Sequence, residues 1–194
     1  AVVVIKGSRL LGVLLVSTGT AMSTQATEEP VWSPVGALDD VELRSYAPVV
    51  QARTALPGGI DSSDGFRTLA RYIFGGNVRS QEIAMTAPVE QTLTGTGDYM
   101  AFYMPDEMKL DHLPEPNDDS VTLHAVPART VAVIAFSGWA REKVVRENSQ
   151  ALLATLASHG IEPLGEVSLA QYNPPWTFPW NRRNEVIVEI AAQQ

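Results

Sequence analysis

Gln171-Tyr-Asn-Pro-Pro-Trp-Thr-Phe-Pro-Trp-Asn-Arg-Arg-Asn-Glu-Val-Ile-Val-Glu-Ile190 concentrates four chemical types in one stretch. Pro174 and Pro175 fix φ and force an extended or turned backbone. Trp176, Phe178 and Trp180 follow at period two, which in an extended segment puts three aromatic rings on one face. Arg182 and Arg183 come next, and the β-branched run from Val186 to Ile190 reads as a strand. Aromatic surface beside paired guanidinium groups suits a flat apolar ligand carrying carboxylates, because arginine both forks onto carboxylates and stacks on rings. It equally suits an aromatic corner closing a barrel, with the arginines in water.

Working back from this stretch, the same kinds of element recur. Val41, Leu43 and Ser45 alternate with Glu42, Arg44 and Tyr46, and β pattern resumes after Pro48. Pro57-Gly58-Gly59 reads as a turn, and Asp61-Ser62-Ser63-Asp64 offers N-cap candidates. Phe66, Leu69, Ala70, Ile73 and Phe74 then define an amphipathic helix stopped by Gly75-Gly76, with Arg67 and Arg71 on its polar side. Residues 83–89 and 99–104 read as strands around a Thr94-Gly-Thr-Gly-Asp98 hairpin turn. A proline- and acid-rich loop covers residues 105–120, and strands follow at 121–126 and 130–136. Ser137 is the expected N-cap of a second helix over residues 140–158, with Val145, Leu152, Leu153 and Leu156 on its buried side. Residues 41–104 and 121–190 thus carry the same order of elements, which reads as a duplicated β-α-β-β unit. Two such units most simply pair their strands into one antiparallel sheet or barrel with two helices packed on it, an α+β fold.

The chain has 194 residues, 45% of them hydrophobic and 19% charged, as a single globular domain would. Its net charge of −8 argues against nucleic acid or anionic membrane as the main partner. The absence of cysteine removes disulfides, thiolate nucleophiles and cysteine-ligated metals. Residues 1–26 read as a signal peptide or N-terminal anchor: Lys6 and Arg9 precede a short apolar run, and small residues follow. Export, to a periplasm or outside the cell, is the corresponding expectation, with membrane contact only if that segment is retained. Residues 27–36 hold two prolines and no clear period, and read as a leader into the domain at 37–192.

Val41-Glu-Leu-Arg-Ser-Tyr46, the helix from Phe66 to Gly76, Ile83-Ala-Met-Thr-Ala-Pro-Val89, Ser137-Gly138, Tyr172-Asn-Pro-Pro-Trp176 and Arg182-Arg-Asn-Glu185, in that order, resemble the SOUL haem-binding protein family. The resemblance implies a pseudo-twofold distorted antiparallel β-barrel with two helices. It also implies haem or a related tetrapyrrole as ligand, held in a shallow apolar cleft by the first helix for carriage or buffering rather than catalysis. Carried onto this sequence, Phe66, Leu69, Ala70 and Ile73 would supply apolar contact, and Arg71 would meet a propionate. Trp176, Arg182 and Arg183 would complete the site.

Other chemistry is sparse. His112, His124 and His159 are scattered without metal-site spacing, and His124 is the one with a strand setting that suits an iron ligand. The wider resemblance to gyrase-inhibitor-like domains, some of which look like small-molecule hydrolases, gives one alternative. Glu185 beside Tyr172 and Trp176 would then act as acid/base if buried, since desolvation raises a carboxyl pKa. The competing role for Glu185 is an ion pair with Arg182 or Arg183.

Overall fold

A computed structural model describes residues 27–56, 63–93 and 98–192. The expected signal segment, the Pro57-Gly58-Gly59 turn and most of the 94–98 turn lie outside the described residues. The chain order is β1 (Trp32–Leu38), β2 (Val41–Tyr46), β3 (Val49–Ala55), α1 (Ser63–Ile73), β4 (Val89–Thr92) and β5 (Tyr99–Tyr103), then β6 (Val121–Val126), β7 (Arg129–Phe136), α2 (Glu142–Ser158), β8 (Ser168–Gln171) and β9 (Asn184–Ile190). The strands form one curled antiparallel sheet in the order β1-β2-β7-β9-β8-β4-β5-β3-β6. This is an α+β half-barrel with two helices. Apart from β1, the strand order runs inward from β2 to β8 on one side of the β4–β8 seam and from β6 to β4 on the other.

Strand alternation sorts the side chains. Met100, Gln91, Leu169 and Val186 are in register across β5, β4, β8 and β9, and so share one face. Both helices pack on that face. α1 covers a cluster that includes Ala52, Met100, Phe102 and Val121. α2 brings Val145, Leu152 and Leu156 onto Leu43, Ala132, Leu169 and Val186. The opposite face carries Ala101, Glu90, Ala170 and Glu185 as one row. Among the described residues no helix lies over it, and the curl of the sheet itself buries that row.

Several local expectations are corrected. The presumed leader contains β1, which pairs with β2 from Trp32 opposite Tyr46 to Leu38 opposite Val41. Its residues are mostly exposed, so no buried period marks it as a strand. Residues 83–89 form no regular strand. Their amides bond elsewhere, Ile83 N–H to Ile73 O and Ala87 N–H to Glu28 O, and the ladder starts only at Val89. Ser137 does not cap α2, whose N-cap is Arg141 without a side-chain bond. The chain turns there because Gly138 N–H donates to Pro179 O. Leu153 is partly exposed while Val145, Leu152 and Leu156 are buried.

α1 is rotated from the expected stripe. Gly65, Leu69, Tyr72 and Ile73 face the sheet at spacings i, i+4, i+7 and i+8. Tyr72 can occupy this face because its hydroxyl donates to Pro114 O at 3.0 Å. The Gly75-Gly76 stop is as expected and has a steric cause. Gly75 sits at φ +97°, and a Cβ on Gly76 would lie 2.5 Å from Arg71 O, the carbonyl that accepts the Gly76 N–H.

Candidate functional site

Three places carry the predicted residues: the sheet's inner face, the outer face of α1, and the β8–β9 connection. On the inner face, Glu185 is 0% exposed and both its oxygens are held. Oε2 accepts from Arg44 and from the Tyr172 hydroxyl, each at 2.9 Å, and Oε1 accepts from Arg183 Nε at 3.0 Å. Arg44 also donates to Glu42 at 2.6 Å and lies over the Trp32 ring. Burial works against the Arg44 charge, but the bonds to Glu185 and Glu42 outweigh it, so its pKa is raised and the guanidinium stays charged. Burial, then the Glu185 charge, pushes the Tyr172 hydroxyl well above its ordinary value.

A second buried carboxylate, Glu90, sits two strands away. It accepts from the Tyr103 hydroxyl at 2.5 Å, from Gln51 at 3.2 Å and from Arg129 at 3.4 Å. Burial, then the charge of Glu90, raises the Tyr103 pKa well above normal. Both carboxylates are therefore closed ion-pair centres. Glu185 has Tyr172 beside it as the hydrolase alternative expected, but Trp176 is remote in character, 83% exposed on the surface. Glu185 is fully buried with three donors on it, so the acid/base reading gains no support from its geometry.

The outer face of α1 is different. Phe66 is 41% and Phe74 67% exposed, Ala70 is half-buried, and Val78 just beyond the helix is exposed. The Phe66 ring meets Phe102 edge-on at 5.2 Å, which anchors it to the core while leaving part of its surface in water. Arg67 and Arg71 stand one turn apart on the same side. Arg67 bonds within its own turn, to Ser63 and Asp64. Arg71 reaches Asp118 at 3.4 Å, a long contact between exposed groups. Leu69 and Ile73, expected to touch a ligand, are instead core residues that support this surface from beneath.

The β8–β9 connection holds Trp176, Phe178 and Trp180. All three are exposed. The period-two pattern does not produce an extended face, because Pro179–Asn181 turns as a 3-10 helix and folds Trp180 back onto Phe178, with ring centroids 4.9 Å apart. Arg182 donates to the backbone carbonyls of Thr177 and Pro175 and lies over the Trp139 ring at 4.0 Å. Arg183 pairs with Glu185 and Glu29 and covers Tyr172 at 3.6 Å. These arginines organise their own loop. The structure does not bring them to α1, since α1 packs on β3, β5 and β6 while β4 and β8 intervene before β9.

Of the histidines, none lies on α1. His124 is in register with Gln51 on the sheet face opposite α1 and contacts Thr122 at 2.9 Å. Burial, then the charge of Arg53, lowers its pKa. Among the described residues, no cluster of three or more His, Cys, Asp or Glu is placed to hold a metal ion.

Taken together, these are the features of a curled antiparallel α+β domain whose two buried carboxylates are enclosed in ion-pair networks. The sequence model of the SOUL heme-binding protein family matches residues 27–189, and the chain belongs to that family. It is 30% identical over 183 residues to heme-binding protein 2 of Homo sapiens, covering 84% of this chain and 86% of that protein. With heme-binding protein 2 of Mus musculus it shares 29% over 153 residues, covering 69% and 70% of the two. The fold is also similar to the EcmrR C-terminal domain, at a TM-score of 0.58 and 10% identity over 82% of this chain and 98% of that one. A protein from Listeria innocua described as a hydrolase gives 0.55 at 10% identity, over 81% and 94%. At such identity these two establish shared architecture alone.

Proposed function

We propose that this protein reversibly binds haem or a related tetrapyrrole on the outer face of α1, as a carrier or buffer. Family membership supplies the ligand class, and one observation carries the placement. α1 and the residue that follows it leave two aromatic rings, Phe66 and Phe74, and two guanidinium groups, Arg67 and Arg71, exposed to water. A tetrapyrrole is a flat apolar disc with carboxylates at one edge. The rings and Ala70 would cover part of the disc, and Arg71, with Arg67 beside it, would meet the propionates. Such a surface would recognise shape and carboxylates, so iron is not required for binding. With residues 1–26 as an export signal, the site of action would be a periplasm or the cell exterior.

Hemin titrated into the full chain, followed by visible absorption, tests this reading. A saturable shift is expected, and Arg71→Glu is expected to weaken it about tenfold, or ~1.4 kcal/mol. Metal-free protoporphyrin should bind within about threefold of hemin if no side chain ligates iron strongly. A spectrum that does not saturate, or a shift indifferent to both Arg71→Glu and Phe74→Asp, would remove the ligand from this face.

A further inference from the structure

At the end of the half-barrel, beside the β2–β3 and β6–β7 turns, lies a cavity of about 630 Å³. It involves none of the residues assigned above to tetrapyrrole binding. Its volume falls within the roughly 300–1,000 Å³ usual for small-molecule sites. Val49, Val50, Met104, Met108 and Val126 give it an apolar lining, with methionine side chains that adapt to irregular shapes. The strap from Glu28 to Val31 forms one wall and is pinned at both ends: Ala87 N–H donates to Glu28 O at 2.8 Å, and Ala47 N–H to Val31 O at 3.0 Å.

The rim has a strong sign. Glu28, Glu29, Asp106 and Asp111 border the cavity, against the single ammonium of Lys109. Glu28 is answered by the Asp106 N–H at 2.6 Å, and Glu29 by Arg183 at 2.9 Å. Lys109 Nζ donates to the Asp106 backbone carbonyl at 3.0 Å, and among the described residues it forms no direct ion pair with either aspartate. Asp111 lies 3.9 Å from the exposed His112 ring. The polar groups of the floor are already satisfied, Thr86 donating to Tyr103 O and the Tyr103 hydroxyl to Glu90. A ligand therefore meets an apolar interior and an edge of net negative charge, and a propionate or phosphate would meet like charge.

We propose that this cavity is a second binding site, for an apolar amine or comparable organic monocation, with its hydrocarbon body inside and its charge at Asp106 and Asp111. The two parts contribute unequally. Burial of the body, at roughly 25 cal/mol per Å² of apolar surface, supplies most of the affinity. Solvent-exposed carboxylates are screened, each worth about 1 kcal/mol or less, and they set preference by charge sign. The site is independent of the α1 face and stands or falls separately from it.

Decylamine and decanoate make a matched probe pair, with the same tail and opposite charge at neutral pH. Calorimetric titration of the full chain is expected to show saturable decylamine binding, with decanoate at least about tenfold weaker. Ala125→Trp, an exposed position at the mouth, should abolish decylamine binding while hemin titration is unchanged. Asp106→Asn combined with Asp111→Asn, both exposed and safe for folding, should reduce the amine preference at least about threefold without weakening decanoate. Equal affinity for the two probes, no saturable binding of decylamine, or undiminished binding by natively folded Ala125→Trp would each overturn the proposal.

Discussion

Arg67 and Arg71 on α1, and Arg182 and Arg183 before β9, carry the same charge but live in different chemistry. The second pair is enclosed: Arg182 holds two loop carbonyls and a tryptophan face, and Arg183 bridges Glu29 and the buried Glu185. The first pair stands in water with partners one turn away or at 3.4 Å. A guanidinium already surrounded by carbonyls and carboxylates has little left to offer a ligand, whereas a solvated one can exchange its partner at little cost. Availability, rather than charge, separates a binding arginine from a structural one.

That contrast can be tested from its strongest end. Glu185→Ala strands Arg44 and Arg183 beside an interior that no longer balances them, and should cost about 3–5 kcal/mol in chemical denaturation. A loss under about 1 kcal/mol would mean the enclosed network is not a structural centre. Alkaline pH comes next, acting on the buried tyrosines. Burial holds Tyr172 and Tyr103 above their ordinary pKa and pushes Tyr72 up to about 12. The unfolded chain then gives up these protons first, so stability should be flat below about pH 10 and fall above it. By pH 11 each tyrosine kept neutral costs about 1.4 kcal/mol, and Tyr172→Phe should flatten the slope.

Arg182→Ala should lose about 2 kcal/mol through its two backbone bonds and the Trp139 contact, and leave hemin affinity unchanged. A matching loss of hemin binding would return the aromatic loop to the ligand site. The smallest effect belongs to the open pair. Asp118→Asn removes the carboxylate that Arg71 touches among the described residues, and should raise hemin affinity by up to about twofold with stability within ~0.5 kcal/mol.

Much of the fold was readable in the sequence where burial has a period. β2 alternates, β7 and β9 are β-branched runs, and α2 spaces Val145, Leu152 and Leu156 at helical intervals. β1 was not readable, because a mostly exposed edge strand needs no apolar alternation. Residues 83–89 look like a strand because their composition is extended and apolar, yet their N–H groups go to α1 and the strap. At the site, Phe66, Ala70 and Arg71 stand on the expected helix, but the expected stripe left out Tyr72, which is buried, and Leu69 and Ile73, expected to touch a ligand, face the core. Nothing local marks Arg182 as occupied, since its partners are backbone carbonyls that have no sequence signature. The acidic-rimmed cavity was equally invisible, because its walls come from five segments scattered from Glu28 to Pro127.

β1 has a consequence for life in a crowded solution. It ends the sheet on one side, and it carries Pro34, which has no N–H to donate, with a register shift between Pro34 and Gly36. An interrupted border of this kind is a poor template for a neighbouring chain. β2 behind it is regular and largely buried, with an unbroken run of partners in β7. Without its outer strand, β2 would offer a straight row of unmet amides to any second copy, and association edge to edge would compete with the native fold. The plain-looking run that forms β1 would thus act as a guard rail against polymerisation.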